Sequence, residues 1–414
     1  MDGIPLRDND PAALLLIAMV VVVVAVVAGR AILHNRRRFP RWLRSILVRR
    51  RLDVIARDLN RMAEHVGRFS DSEPAAWRPF ELGLVAMAAY QWQQAIGHFQ
   101  TAQEIAGEKQ LASYFTQIGV CHYMQGRLAD ALRQFEEAAR IAEREDDAQG
   151  RISAFNNIGV IRHEHGELDR ALKYFQEAQA IARESDNRAA VALCLGNIGN
   201  MLREKGEPAT ALKSLEDALD LSRRAGDDEG VAGGLCNIGS ILRDRGEPDK
   251  ALERYAEAVE IARKANYKLG ATIALCNIGN LYRDKGESDR ALKSHESALA
   301  LAHEIGYRLG VATELGNIGL VLVSRRMPDR AVPYLAESLA FFLAAGAANG
   351  IRQGLYGLSK CDDSLGRERL QDLLKEAGLA EESIADMLDR IDQIRSRRPW
   401  QRDRQRNPFA PTAR

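Results

Sequence analysis

Small and apolar residues return along this chain at a fixed interval of 40 residues. The tripeptide Asn-Ile-Gly recurs with a constant gap (199 − 159 = 40), and its glycines are Gly159, Gly199, Gly239, Gly279 and Gly319. Gln117-Ile118-Gly119 precedes the series by the same step, and a second glycine follows seven residues after each of the first five, at Gly126, Gly166, Gly206, Gly246 and Gly286. This interval predicts a repeated pair of helices joined by a glycine turn.

Two alanine columns complete each repeat. The first comprises Ala131, Ala171, Ala211, Ala251, Ala291 and Ala331, and the second Ala138, Ala178, Ala218, Ala258 and Ala298. We expect helix A before the turn and helix B after it, with small residues where the two backbones approach. One such pair cannot bury its own apolar face, so the copies must stack into a solenoid.

A different pattern occupies the N-terminus. Residues 12–29 contain no charged or strongly polar side chain, and at a rise of 1.5 Å they would span about 27 Å, close to the hydrocarbon thickness of a bilayer. Arginines without any acid follow in residues 30–51. The sequence therefore predicts a transmembrane helix at 11–29 with the N-terminus outside and the repeats cytoplasmic. A cleaved signal peptide is the alternative, which an acidic start and the following arginines oppose.

The other segments follow from composition and register. We expect a short tail at 1–10, an Arg-rich juxtamembrane stretch at 30–51, a linker helix at 52–73, the repeat array at 76–351, a degenerate repeat with capping helices at 352–395, and a basic disordered tail at 396–414. Repeats start near residues 76, 112, 152, 192, 232, 272 and 312. The Arg-rich stretch either lies on anionic lipid headgroups or only sets the topology.

Charge and cysteine usage narrow the function. The 58 Lys and Arg nearly balance the 57 Asp and Glu, which argues against a dedicated nucleic-acid binder. The five cysteines form no C-x-x-C pair and indicate free thiols. No nucleotide-binding or hydrolase motif occurs, so we expect neither an enzyme nor a cofactor. We expect no metal site either, because the histidines of His163-Glu164-His165 point away from each other on a helix.

The glycine and alanine frame resembles the tetratricopeptide repeat (TPR) family over residues 76–351. The resemblance implies an all-α, right-handed solenoid of about seven helix pairs with a degenerate cap. The family's usual period is 34 residues, and the longer period is similar to the 40-residue repeats of kinesin light chains. The resemblance also implies that helix A lines a concave groove in which a protein or peptide partner lies.

An asparagine column marks that groove face. It stands two residues before each first glycine and comprises Asn157, Asn197, Asn237, Asn277 and Asn317. A side-chain amide donates and accepts together, so the column could clasp the backbone of an extended segment. Alternatively, each amide bonds to the next repeat and fixes the stacking angle.

Further candidate residues follow each first glycine at the same face. They are Asn200 and Asn280, together with Arg203, Arg243 and Arg283. The arginines could clamp acidic side chains or a carboxylate of a partner. Alternatively, each arginine pairs with an acid on the adjacent repeat.

The sequence thus predicts a membrane-anchored scaffold or adaptor that holds a partner peptide in its groove. Two alternatives remain: a protein whose solenoid responds to a ligand or peptide, and a non-catalytic accessory subunit of a membrane assembly or envelope-biogenesis machine. The sequence does not specify the partner or the oligomeric state.

Overall fold

The computed structural model describes residues 74–106 and 111–396, and these residues form helices and turns without a strand. The helices are α1 (Pro74–Ala88), α2 (Trp92–Ala106), α3 (Leu111–Met124), α4 (Leu128–Arg144), α5 (Ala148–Glu164), α6 (Leu168–Glu184), α7 (Arg188–Glu204), α8 (Pro208–Ala225), α9 (Asp228–Asp244), α10 (Pro248–Lys264), α11 (Lys268–Asp284), α12 (Ser288–Glu304), α13 (Arg308–Ser324), α14 (Pro328–Ala345), α15 (Ala348–Leu365), α16 (Arg367–Glu376) and α17 (Glu381–Ser396). The prediction of an all-α solenoid is confirmed.

Helix A of each repeat is an odd-numbered helix from α1 to α13, and helix B is the even-numbered helix that follows. The turn between the two helices requires a residue with left-handed backbone conformation. Gly166 adopts this conformation, with φ 76°. Such a φ is strained for most L-residues. Arg326 nevertheless holds the same position in the last full repeat, with φ 58°.

The first glycine of each repeat receives a large side chain from helix B. A Cβ on Gly159 would lie 2.6 Å from a ring carbon of Phe175, and one on Gly239 would lie 2.6 Å from Tyr255. The first alanine column packs beside these rings and is fully buried; Ala171 has an exposed fraction of 0%. The small residues of the repeat are therefore required where helix A touches helix B.

The solenoid completes a turn and packs against itself. The indole Nε1 of Trp92 donates to the carbonyl of Ile305 at 3.0 Å, across 213 residues of sequence. One hydrophobic cluster joins the early helices α4 and α5 to the late helices α13 and α14 through buried residues that include Leu128, Ile161, Leu309 and Phe342. We name this contact between early and late repeats the closure.

The predicted transmembrane helix at 11–29 lies outside the described residues, as do the segments 1–10, 30–51 and 52–73 and residues 397–414. Within the described part of the chain, no helix is long and apolar enough to cross a membrane. These helices have at most 18 residues, and charged side chains recur along them. The predicted localisation, a single-pass cell-membrane protein with its N-terminus outside and a cytoplasmic array, is wrong by this finding. The predicted contact of residues 30–51 with lipid headgroups is not supported.

Candidate partner-binding groove

The A helices form the inner layer of the solenoid. The helices α7, α9, α11, α13 and α15 contact one another in order. These contacts are more extensive than those between successive B helices, so the A helices lie closer together and line the inner curve. A side chain that projects from helix A away from helix B therefore faces the groove.

The asparagine column divides into members that bond within the protein and members that do not. The Nδ2 of Asn157 donates to the Ser153 carbonyl of its own helix at 3.0 Å. The Nδ2 of Asn197 donates to Asn156 of the preceding repeat at 3.3 Å. Asn317 is buried, and its Oδ1 accepts from Gln353 of the following repeat at 2.7 Å. Asn197 and Asn317 therefore bond to neighbouring repeats, as the stacking role requires, whereas Asn157 bonds only within its own helix.

The middle of the column is different. Asn237 and Asn277 are half-buried, and neither side chain makes a hydrogen bond within the part of the chain that the structure describes. Asn200 is also half-buried and lacks such a bond there, whereas the Nδ2 of Asn280 lies 3.7 Å from the sulfur of Cys276. The free amides lie on three neighbouring A helices, α7, α9 and α11.

Two exposed aliphatic side chains flank these amides. Leu193 on α7 and Ile273 on α11 have exposed fractions of 56% and 43%, and both stand six residues before the first glycine (199 − 193 = 6; 279 − 273 = 6). Gly233 holds the same position on the intervening α9, and a Cβ built there meets no atom within 4 Å. The structure thus leaves an open gap between two apolar side chains. The sequence analysis did not single out these residues.

The charged residues of the groove form a ladder between repeats. His163 Nε2 lies 3.0 Å from Glu204, and Arg203 Nη1 lies 2.8 Å from Asp244. The next rung is longer, with Arg243 Nε 4.0 Å from Asp284. Each pair joins one A helix to the next, so Arg203 and Arg243 are engaged in holding successive repeats together.

The ladder stops at Arg283. The following repeat has Ser324 at the register position of the acid (319 + 5 = 324), so α13 carries no acid at the position that continues the ladder. Arg283 lies 3.6 Å from Asp284 of its own helix. Its Nη1 is buried and has no hydrogen-bond partner among the described residues. Arg203 Nε is also buried without a partner, but of the three predicted arginines only Arg283 has no ion pair with an acid of an adjacent repeat among the described residues.

Opposing influences set the protonation of the first rung. Burial disfavours a charged His163, but the hydrogen bond and charge of Glu204 outweigh it and raise the pKa of the imidazole. Burial likewise raises the pKa of Glu204, yet its bond to His163 and that residue's charge bring the pKa below its ordinary value. Both shifts favour the ion-paired form of His163 and Glu204.

At the other end of the ladder the groove meets the closure. Tyr123 replaces the arginine in the register of α3, and its hydroxyl hydrogen-bonds to Glu164 and to Tyr307 of the late repeats. The amide of Asn349 donates to the carbonyl of His163 at 3.5 Å. The groove wall and the closure therefore share residues.

These features define a helical-repeat protein whose inner face carries amides without hydrogen bonds among the described residues and exposed aliphatic side chains. The family model described as "Tetratricopeptide repeat" matches residues 73–144, 150–224, 188–264, 230–302 and 270–344. The chain belongs to the tetratricopeptide repeat family. This family typically mediates protein interactions without catalysis, and the expectation that this chain is not an enzyme stays a prediction.

Solved structures of similar fold include two Rap proteins. A Rap protein complexed with competence and sporulation factor is 14% identical, covers 91% of this chain and 98% of its own, and has a TM-score of 0.59. The apo form of RapI is 17% identical, covers 70% and 99%, and has a TM-score of 0.46. BtubC (BKLC) from P. vanneervenii is 22% identical, covers 53% and 91%, and has a TM-score of 0.39.

At these identities the likeness shows the fold alone. Comparison with curated protein sequences gave no match. The finer resemblance to the kinesin-light-chain type of repeat and the right-handedness of the solenoid stay predictions.

Proposed function

We propose that this protein is a binding scaffold that holds an extended segment of a partner protein across α7, α9 and α11. The observation that carries the proposal is the pairing of free amides with exposed aliphatic side chains on one stretch of the groove. Asn237 and Asn277 can each donate to and accept from a peptide backbone. Leu193 and Ile273 would bury apolar area against the partner's side chains.

A positive charge at the α11 end of this stretch would favour one orientation of the bound segment. Arg283 pairs only with Asp284 of its own helix, whereas Arg203 and Arg243 are also held by the acids of neighbouring repeats. An acidic side chain or a terminal carboxylate of the partner would fit Arg283. The Rap protein of similar fold is complexed with a factor, which supports this use of such a solenoid.

Selection of binding peptides from a random library tests the proposal with the purified chain. For a selected peptide, we expect the Asn237→Ala/Asn277→Ala double variant to lose about 2 kcal/mol, from two hydrogen bonds at about 1 kcal/mol each. That loss corresponds to an affinity about 30-fold weaker. The Asn157→Ala variant is the matched control, because that amide is bonded to its own helix.

A steric variant gives an independent arm. Gly233→Leu fills the gap between Leu193 and Ile273 without meeting any atom within 4 Å of its Cβ, so it should block binding and leave the fold intact. The proposal fails if peptides bind the double variant and Gly233→Leu as tightly as wild type. A large drop in melting temperature in the double variant would instead assign the asparagines to repeat stacking.

A second function, response of the solenoid to a bound ligand, is favoured by the closure. Tyr123 contacts Tyr307 and Glu164, so a ligand that displaces these contacts would alter how the early and late repeats meet. A small-angle scattering radius that changes with a selected peptide would support this function. An unchanged radius at saturation would leave the passive scaffold.

A further inference from the structure

Three side chains with metal-binding atoms meet inside the repeat formed by α11 and α12 and its junction with α13. Cys276 lies on α11, His295 on α12 and Glu314 on α13, and one ligand atom from each lies within 4.8 Å of the others. His295 and Glu314 are buried, with exposed fractions of 0% and 1%. Cys276 is half-buried beside the groove.

Two of these residues break the repeat in the same place. The register position of His295 elsewhere holds an apolar or aromatic residue: Phe99, Phe135, Phe175, Leu215, Tyr255 and Leu335. The register position of Glu314 holds Ala154, Cys194, Gly234 and Ala274 in the four preceding repeats. This repeat therefore has both an imidazole and a carboxylate in its core. An unpaired charge there would lower the free energy of unfolding by several kcal/mol.

The hydrogen bonds within the cluster leave binding capacity unused. His295 Nδ1 lies 2.7 Å from Glu314 Oε2. The other ring nitrogen, Nε2, is buried and has no partner among the described residues. The sulfur of Cys276 accepts from the amides of Asn317 at 3.3 Å and Asn280 at 3.7 Å.

We propose that Cys276, His295 and Glu314 form a zinc-binding site. A thiolate, a neutral imidazole and a carboxylate are ligands that zinc takes in proteins, at about 2.0–2.3 Å, which places tetrahedral ligands about 3.5 Å apart. To reach this spacing, the 2.7 Å contact between His295 and Glu314 has to open by about 1 Å, and a pair at the 4.8 Å limit has to close by about 1 Å. The two anionic ligands neutralise the ion, and a water molecule would supply the fourth ligand.

Proton release accompanies binding at this site. Burial raises the pKa of the Cys276 thiol well above its ordinary value, so the metal-free protein carries a thiol there. Zinc binds the thiolate, so metal binding displaces that proton. Zinc affinity should therefore increase with pH.

The test uses the full, tag-free chain, stripped with chelator and titrated with zinc chloride alone, with bound zinc measured per chain. We expect one zinc per wild-type chain. Cobalt chloride should give a thiolate-to-cobalt charge-transfer band. Loss of any one ligand should weaken zinc binding at least about 100-fold, which is more than substitutions of residues beside a metal site usually cause. The variants are Cys276→Ser, His295→Phe and Glu314→Ala.

The variants His295→Phe and Glu314→Ala restore residues that other repeats carry at the same positions, so they should fold. Cys236→Ser is the matched control, because Cys236 has the register position of Cys276 one repeat earlier, and it should bind zinc as wild type does. The proposal is overturned if wild type takes up no stoichiometric zinc. It is also overturned if folded His295→Phe binds zinc as tightly as wild type.

Discussion

Two glycines of α9 should respond in opposite directions to the same substitution. Gly233 faces open space, whereas a Cβ on Gly239 would lie 2.6 Å, 2.9 Å and 3.1 Å from three ring atoms of Tyr255. Tyr255 is fully buried, and its hydroxyl lies 3.1 Å from the Ser240 hydroxyl. The ring therefore has little freedom to move away from an added methyl group.

Both substitutions increase the stability of the helix, but only Gly239→Ala also overpacks the core. Replacing glycine by alanine inside a helix gains about 1 kcal/mol at both positions. Overpacking a tight core costs about 1–3 kcal/mol, and only Gly239→Ala incurs this cost. We expect Gly233→Ala to stabilise α9 by about 1 kcal/mol, and Gly239→Ala to be less stable than Gly233→Ala by about 1–3 kcal/mol.

Native-state hydrogen exchange of the α9 amides measures these changes locally. This assay suits a solenoid because its repeats need not unfold in one step. Wild type, Gly233→Ala and Gly239→Ala are compared under identical conditions. If Gly239→Ala protects α9 as strongly as Gly233→Ala does, the close approach of helix A and helix B does not explain the glycine column.

Two further predictions concern the groove and the closure. Replacing Glu204 by Gln removes the charge that raises the pKa of His163 but leaves the imidazole buried. NMR titration should therefore find the pKa of His163 below its ordinary value of about 6.5 in the variant and above it in wild type. A pKa that stays raised in the variant would refute Glu204 as its cause. In wild type, the His163 contribution to stability is fully present below its unfolded pKa and is lost as pH rises through the folded pKa. Trp92→Phe removes the hydrogen-bond donor to Ile305 and should lower the free energy of unfolding by about 1 kcal/mol. Hydrogen exchange should become faster both in α2 and in the turn between α12 and α13. Faster exchange in α2 alone would show that this bond does not couple the two regions.

The repeat was predictable because its cause is local and recurs. Gly159 and Ala171 are small because helix A and helix B touch there, and the same contact returns at every period. Sequence register was less informative about the burial of single positions. Asn156 and Cys236 directly precede members of the asparagine column, yet both are buried, because the next A helix covers this side as well.

The candidate site depends on contacts that sequence spacing does not specify. The partner of Arg203 is an acid 41 residues away, and the sequence alone permitted both a clamp and a ladder. The exposure of Leu193 follows from its neighbours, since a Cβ on Gly196 or Gly233 would also meet open space. The clue to His295 was present in the sequence as a break in an apolar register column, but its meeting with Glu314 required the fold.

The closure changes how cooperative this molecule should be. An open array of repeats has two free ends, where unfolding can begin with the loss of a single neighbour. Here the hydrogen bond from Trp92 to Ile305 and the shared core of Leu128 and Phe342 give early repeats a second set of neighbours. Unfolding of any one repeat therefore breaks contacts with neighbours on two sides, as it would in a closed ring of repeats. Because the closure joins distant parts of the sequence, it can form only after the repeats between them are in place, which makes it a late event in folding.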